Sequence, residues 1–138
     1  MQVTPPPGRF LGHHAVGIGA SMSGLTAAGV LSTHFDRVTV FDRDRLPASV
    51  EWRAGVPQGR HGHGLLASGL GGLERLFPGF ERTLVAGGAV SGDVIGDVRW
   101  FQHGYYKAKF TSGLNGVLMS RPLLETTLDG ATGVLLNI

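Results

Sequence analysis

The sequence lacks several features that would assign it to common classes of protein. Cysteine is absent from its 138 residues, which excludes a disulfide framework and thiol chemistry and suits a reducing compartment. No stretch approaches the ~18 consecutive apolar residues of a membrane span, and the opening MQVTPPPGRFLGHH lacks the continuous apolar segment of a secretory signal. The net charge is only +2, with no basic block that would favour nucleic acid. We therefore expect a cytoplasmic protein without a membrane span or a nucleic-acid partner.

Glycine, in contrast, is abundant, with 23 residues. Many of these glycines lie in segments that otherwise have helical spacing, which weakens the helices in isolation. The length suits one domain with a substantial core. Three consecutive prolines predict a loose arm over residues 1–12, so that residues 13–138 form the domain.

A strand, a tight turn, a helix and a second strand make up the most informative part of the sequence. Apolar residues predict buried strands over 14–19 and 37–42, and helical spacing predicts a helix over 21–33 between them. This order predicts the α/β fold class, with a Rossmann-like βαβ unit that binds a dinucleotide. The alternative is an ordinary βαβ unit whose glycines serve only the turn and the packing.

The turn of this unit carries a variant of the GxGxxG pattern. Its residues are, in order, Gly19, Ala20, Ser21, Met22, Ser23 and Gly24. Serine replaces the middle glycine, and a register that begins at Gly17 fails because its third glycine would be Met22. Asp42 follows Gly19 by 23 residues, close to the spacing of about 20 residues at which an acid accepts hydrogen bonds from a ribose. The helix N-terminus beside the turn favours a diphosphate.

Further elements follow this unit. We expect a long loop over 43–60, helices over 62–77 and 81–86, strands within 93–110, a short strand over 117–120 and a helix from Pro122. Gly104 fits the turn of a hairpin, and Asp129-Gly130 fits a turn after the last helix.

Two other groups of residues have simpler interpretations. His61 and His63 are two positions apart and have no third ligand at a suitable spacing, so we predict no metal site. The aromatic residues around the hairpin are suited to stacking on a base or an aromatic substrate, but such clusters more commonly pack a sheet face, which we predict here. They are Trp100, Phe101, Tyr105 and Tyr106.

Five segments, in a consistent order, resemble the N-terminal part of FAD-dependent monooxygenases, the group that includes aromatic-ring hydroxylases and epoxidase-like enzymes. They read GASMSGL, VTVFDRDRLP, PQGRHGHGLL, LERLFPGF and LMSRPLLE, and the resemblance covers residues 14 to about 125. It implies a flavoprotein oxidoreductase that uses FAD, NAD(P)H and O2 to oxygenate a small organic substrate. The flavin carries that chemistry, while the protein positions it.

The resemblance implies cofactor-binding roles for further residues. Serine at position 21 is a familiar variant in this group, and Asp42, followed by Arg43, stands where the group has glutamate. Arg60 matches a loop that faces the flavin, and Arg121 matches an arginine near the ribityl and pyrophosphate groups, where a guanidinium suits a diphosphate. The alternatives are a solvated loop residue for Arg60 and a surface residue for Arg121. Catalytic residues stay unassigned.

The C-terminal part departs from the pattern of this group. There, later Asp-Gly and Gly-Asp segments complete the FAD site and a separate sheet covers the substrate, but TTLDGATGVLLNI after Glu125 fits poorly. We expect a truncated N-terminal portion that is inactive alone and that self-associates through exposed sheet surface. The alternatives are another flavin oxidoreductase, such as a prenyl-chain reductase, and a non-catalytic fragment.

Overall fold

The structure, a computed structural model, describes residues 10–133. The arm expected over residues 1–12 therefore falls mostly outside the described residues, as do the last five residues of the chain. Within the described range the longest helix has 13 residues, and no helix is both long and apolar enough to cross a bilayer.

A parallel βαβ unit opens the structure, as the sequence predicts. Strand β1 (Gly12–Ile18) pairs in parallel with β2 (Phe35–Phe41), and helix α1 (Met22–Leu31) connects them. Each strand starts two residues earlier than expected. Ala28 of the helix packs against Val38 of β2, because the small side chain lets the helix lie close to the sheet.

A 3₁₀ turn at Pro57–Arg60 and eight further elements follow this unit. They are β3 (Gly62–Leu65), α2 (Ala67–Leu76), α3 (Phe80–Ala86), β4 (Val90–Asp93), β5 (Phe101–Gln102), β6 (Tyr105–Tyr106), β7 (Asn115–Ser120) and α4 (Arg121–Gly133). Strand β7 lies at the centre of an antiparallel sheet, between β3 and β4, whereas β5 and β6 pair as a separate hairpin.

The predicted helix over 62–77 is wrong in its first part. Residues Gly62–Leu65 form β3, which pairs along its whole length with β7, and the helix begins only at Ala67. Pairing with a strand far away in the sequence overrides the helical spacing here. That spacing holds for the remainder, where Leu70 and Leu73 are the buried residues of α2.

The predicted turn at Asp129-Gly130 is also wrong, because α4 continues through both residues. One face of this helix is buried at Leu124 and Leu128, which are 2% and 0% exposed. Burial of that face outweighs the cost of a glycine inside a helix, which is roughly 1 kcal/mol relative to alanine.

The strands expected within 93–110 are short. Apart from the end of β4, this segment contains only the β5–β6 hairpin, whose turn includes Gly104 at φ +83°. The prediction that the aromatic residues pack a sheet face is wrong. Their exposed fractions are 42% for Trp100, 63% for Phe101, 79% for Tyr105 and 61% for Tyr106. A two-stranded hairpin of this length has no second layer that would bury them.

The main core lies between β7 and helices α2, α3 and α4, where Leu84, Val117 and Leu124 are at most 2% exposed. Phe77 connects this core to α1. A Cβ atom at Gly29 would lie 2.6 Å from the Phe77 ring, so the glycine allows the ring to pack directly on the helix. The core thereby holds α4 against α1, which brings the start of α4 close to the glycine turn.

Candidate functional site

The turn between β1 and α1 has two positions that require glycine. Gly19 has φ +96°, a conformation that L side chains rarely adopt, and its N–H donates to the carbonyl oxygen of Phe41 at 2.7 Å. A Cβ atom at Gly24 would lie 1.7 Å from the carbonyl oxygen of Gly19. The helix therefore begins in direct backbone contact with the turn, which is the close approach that the glycine pattern predicts.

The N-terminus of α1 has no side-chain cap among the described residues, and its first turn contains no acid. Ser21, which precedes the helix, directs its hydroxyl elsewhere. It donates to Oε1 of Glu125 and accepts from Nη2 of Arg121, both at 3.2 Å. Uncapped N–H groups and the helix dipole favour an anion such as a diphosphate, and the guanidinium of Arg121 adds positive charge beside them.

Asp42 follows β2, and its carboxylate faces the glycine turn. Oδ2 accepts the N–H of Ala20 at 2.6 Å, and Oδ1 accepts the N–H of Asp44 at 2.8 Å. The pKa of Asp42 lies below its ordinary value. The hydrogen bond from Ala20 lowers this pKa most, followed by the bond from Asp44 and by the guanidinium of Arg53, while burial acts in the opposite direction. Because Ala20 donates to Asp42, its N–H does not serve an anion. Oδ2 has one partner among the described residues, so it can accept a further donor.

Arg53 is a central residue of the site that sequence reasoning missed. Its side chain is 8% exposed. Nη1 lies 3.3 Å from Oδ1 of Asp42, Nη2 donates to the carbonyl oxygen of Ala20 at 2.8 Å, and Nε donates to Oε2 of Glu125 at 3.2 Å. One guanidinium thus joins the end of β2, the glycine turn and α4.

Glu125 is the second residue that was missed, and it links two arginines. While Oε2 accepts from Arg53, Oε1 accepts from Nε of Arg121 at 2.8 Å. Arg121 and Glu125 are four positions apart and lie on one face of α4. Asp129, another four positions on, continues this face, and burial raises its pKa while Arg53 partly opposes the shift.

A cavity of about 180 Å³ lies beside this network. It is bounded by Asp42 and Asp44 after β2, by Leu46 in the following loop and by Asp129 on α4. Ala20 also borders it, so the cavity adjoins the glycine turn on the side of Asp42. It therefore offers space beside the carboxylate side chains of Asp42, Asp44 and Asp129.

The structure places the other predicted site residues differently. The side chain of Arg43 is 81% exposed and lies 4.0 Å from the carboxylate of Asp44. Arg60 stacks on the ring of Trp52, with 4.6 Å from its guanidinium carbon to the ring centroid.

Ser23 is exposed, whereas Met22 packs its side chain against the core. The structure thus joins Arg121 and Asp42 to the turn through the network, and it places Arg43 beside Asp44 and Arg60 on Trp52.

Sequence signals for the two missed residues differ. Glu125 stands four positions after Arg121 on a predicted helix, a spacing that favours an ion pair. Arg53 lies in a long irregular segment, where neither spacing nor periodicity indicates what it contacts.

No family model matches the chain. A stretch of 75 residues, 54% of the chain, is 53% identical to Protein Rv3254 of Mycobacterium tuberculosis (strain H37Rv) and spans 16% of that protein.

Solved structures with a similar fold include two variants of 2-methyl-3-hydroxypyridine-5-carboxylic acid oxygenase. The first matches with a TM-score of 0.62 and 25% identity over 91% of this chain and 30% of the oxygenase. The second matches with a TM-score of 0.60 and 23% identity over the same shares of the two chains. The chain is similar to part of an oxygenase. It spans about a third or less of the oxygenase and of the mycobacterial relative.

Proposed function

We propose that this chain is the FAD-binding portion of a flavin-dependent monooxygenase that uses NAD(P)H and O2 to oxygenate an organic substrate. The observation that carries the proposal is the uncapped N-terminus of α1, flanked by the carboxylate of Asp42 and the guanidinium of Arg121. This arrangement suits a nucleotide diphosphate with a ribose attached. The likeness to an oxygenase and the resemblance of the sequence motifs support the choice of flavin.

The described residues fit the ADP half of FAD. The N–H groups of the first turn of α1, together with Arg121, would hold the diphosphate, because both present positive charge. Oδ2 of Asp42 would accept a ribose hydroxyl, and the cavity bounded by Asp42, Leu46 and Asp129 would receive the adenosine. The close packing of Gly24 on Gly19 keeps the helix end at the turn.

A bound flavin would supply the redox and oxygen-transfer chemistry. The residues of this chain would bind the flavin nucleotide and orient it. Because the chain spans 30% of the oxygenase, the substrate and the use of NAD(P)H are proposals about the whole protein. The oxygenase likeness favours a monooxygenase over a prenyl-chain reductase.

Calorimetric titration of the 138-residue chain with FAD, ADP and FMN tests the proposal. FMN lacks the AMP part of FAD and keeps only one of its two phosphates, so we expect FAD and ADP to bind and to compete, while FMN binds much more weakly. Binding of FMN as tight as that of FAD would contradict the ADP-half site. Absence of FAD and ADP binding would favour the alternative of a non-binding fragment.

A pair of matched variants locates the site. Ser23→Asp places a carboxylate in the exposed first turn of α1, where it should repel a diphosphate and weaken ADP binding by about tenfold or more, since close like charges cost on the order of 1–2 kcal/mol. Ser68→Asp makes the same change in the first turn of α2 and should leave ADP affinity unchanged. Equal ADP affinities in the two variants would place the diphosphate elsewhere.

A further inference from the structure

Arg53 makes three polar contacts from a buried position. Its side chain is 8% exposed, and its three nitrogens reach the carboxylates of Asp42 and Glu125 and the carbonyl oxygen of Ala20. A buried guanidinium with three acceptors is held in one orientation, because each of its contacts fixes a different edge of the planar group. Arg53 is therefore a rigid element next to the glycine turn.

We propose that Arg53 is the positioning residue of the dinucleotide site, setting the orientation of Asp42 toward a ribose and, through Glu125, of Arg121 toward a diphosphate. This inference rests on the proposed function. It assigns to Arg53 and Glu125 a role that acts through the residues that would touch the ligand.

The effect on Asp42 follows from how its two oxygens are used. Oδ1 is shared by the N–H of Asp44 and the guanidinium of Arg53, and Oδ2 accepts from Ala20. With Oδ1 held in this way, the remaining acceptor capacity of the carboxylate is on Oδ2, on the side of the turn. Arg53 also holds the carbonyl of Ala20, so it fixes both partners of the bond between Ala20 and Asp42.

The effect on Arg121 passes through Glu125. The two oxygens of Glu125 bind two different arginines, Oε2 to Arg53 and Oε1 to Arg121. Fixing one oxygen with Arg53 therefore fixes the other, which holds Arg121 within 3.2 Å of the Ser21 hydroxyl at the start of α1. The ribose end and the diphosphate end of the site are thereby connected through one buried side chain.

The variant Arg53→Lys tests the inference, because lysine keeps the charge but cannot place donors on three separated acceptors. The readout is the ratio of affinities for ADP and 2′,3′-dideoxy-ADP, measured by calorimetry. A hydrogen bond from a ribose hydroxyl to a carboxylate predicts a preference for ADP of at least about tenfold in the parent chain. We expect this preference to fall to about threefold or less in Arg53→Lys. The exposed Arg45, in the same loop, provides the control Arg45→Gln, which should keep the parent ratio.

The ratio separates positioning from simple loss of stability. A variant that only unfolds more readily loses affinity for both nucleotides equally, so its ratio stays at the parent value. Such a parent-like ratio in Arg53→Lys would overturn the inference while leaving the proposed function intact. A parent chain that does not bind ADP would overturn the proposed function and this inference with it, and one that binds ADP without preference over the dideoxy form would overturn the inference alone.

A second variant decides the matter if Arg53→Lys does not fold. In Glu125→Gln the amide offers one acceptor oxygen in place of two, so one of the two arginines loses its partner. We expect the affinity ratio of ADP to adenosine, which reports the diphosphate contacts, to fall by about fivefold or more, in line with the loss of one charged hydrogen bond. An unchanged ratio would show that Glu125 does not hold Arg121 for the diphosphate and would overturn the inference.

Discussion

Gly24 has no room for a side chain, so we expect substitutions there to disturb the glycine turn. Because a Cβ atom would meet the backbone carbonyl of Gly19 at 1.7 Å, the main chain itself would have to move. We expect Gly24→Ala to destabilise the protein by roughly 1–3 kcal/mol, and Gly24→Val by more, as overpacking does. Thermal unfolding measures this. Gly130→Ala, on an exposed position of α4 with no described atom within 4 Å of the added Cβ, should instead stabilise by roughly 0.5–1 kcal/mol. A Gly24→Ala variant with the parent melting temperature would show that the helix does not pack on the turn.

Asp42 has both a binding and a structural role in this arrangement. Replacing it by alanine should weaken ADP binding by roughly 1–3 kcal/mol, the scale of one charged hydrogen bond. The same change removes the acceptor of two backbone N–H groups and one partner of the buried Arg53, so the protein should also lose stability. Calorimetry with ADP, together with urea unfolding, separates the two losses. Unchanged ADP affinity with reduced stability would leave Asp42 with a structural role alone.

The pH dependence of stability follows from the direction of the pKa shift of Asp42. Its folded-state pKa lies below the ordinary value, so its contribution is fully present above the unfolded-state pKa of about 3.9. That contribution is lost as the pH falls from there through the folded-state pKa. We therefore expect the difference in unfolding free energy between the parent and Asp42→Asn to be constant from pH 5 to 7 and to shrink below about pH 4. A difference that grows on acidification would contradict the assignment.

At the scale of the elements, Asp93 organises the irregular segment between β4 and β7. Its carboxylate accepts the N–H groups of Ile95, Gly96, Ser112 and Gly113, and also the hydroxyl of Ser112. These hydrogen bonds hold the pKa of Asp93 well below its ordinary range, and the bond from Gly96 contributes most to this shift. One carboxylate thus joins the two ends of the segment that carries the β5–β6 hairpin.

We expect Asp93→Asn to loosen this segment while α1 and α4 stay intact, because an amide has one acceptor oxygen and cannot accept all of these donors. Amide hydrogen exchange should accelerate by about tenfold or more at Gly96 and Gly113, since each loses a hydrogen bond to a charged group. Exchange in α4 serves as the internal reference. Unchanged protection at both glycines would show that the carboxylate does not order the segment.

The elements that sequence reasoning recovered are those determined by neighbouring residues. The βαβ unit depends on a turn, a helix and two strands within about thirty residues, and its glycine and acid spacings are visible in the chain itself. Strand β3 was missed because its partner β7 is distant in the sequence, and the helical spacing of the leucines gave no sign of that pairing. The same reason applies to Arg53, whose three partners come from three elements. Local patterns predicted the turn and Asp42, whereas the residues that hold them in place depend on tertiary contacts.

At the scale of the whole molecule, the β1–β2 sheet is covered on one face and exposed on the other. Helix α1 covers the face that carries Val38, while Val16, Ile18 and Phe41 on the opposite face are 56%, 92% and 60% exposed. Within the described residues β1 pairs with β2 alone. These exposed apolar side chains and the unpaired edge of β1 in this range favour association with another chain.

We therefore expect the chain to self-associate with rising concentration, and Ile18→Lys to shift it toward the monomer, because a charge on this exposed face must be desolvated on association. Sedimentation velocity over a hundredfold concentration range measures the change. Val85→Lys is the control, since it removes an exposed apolar side chain of α3, 43% exposed, away from the sheet, and it should behave as the parent does. A parent chain that stays monomeric throughout, or equal effects of the two lysine variants, would show that this sheet face does not drive association.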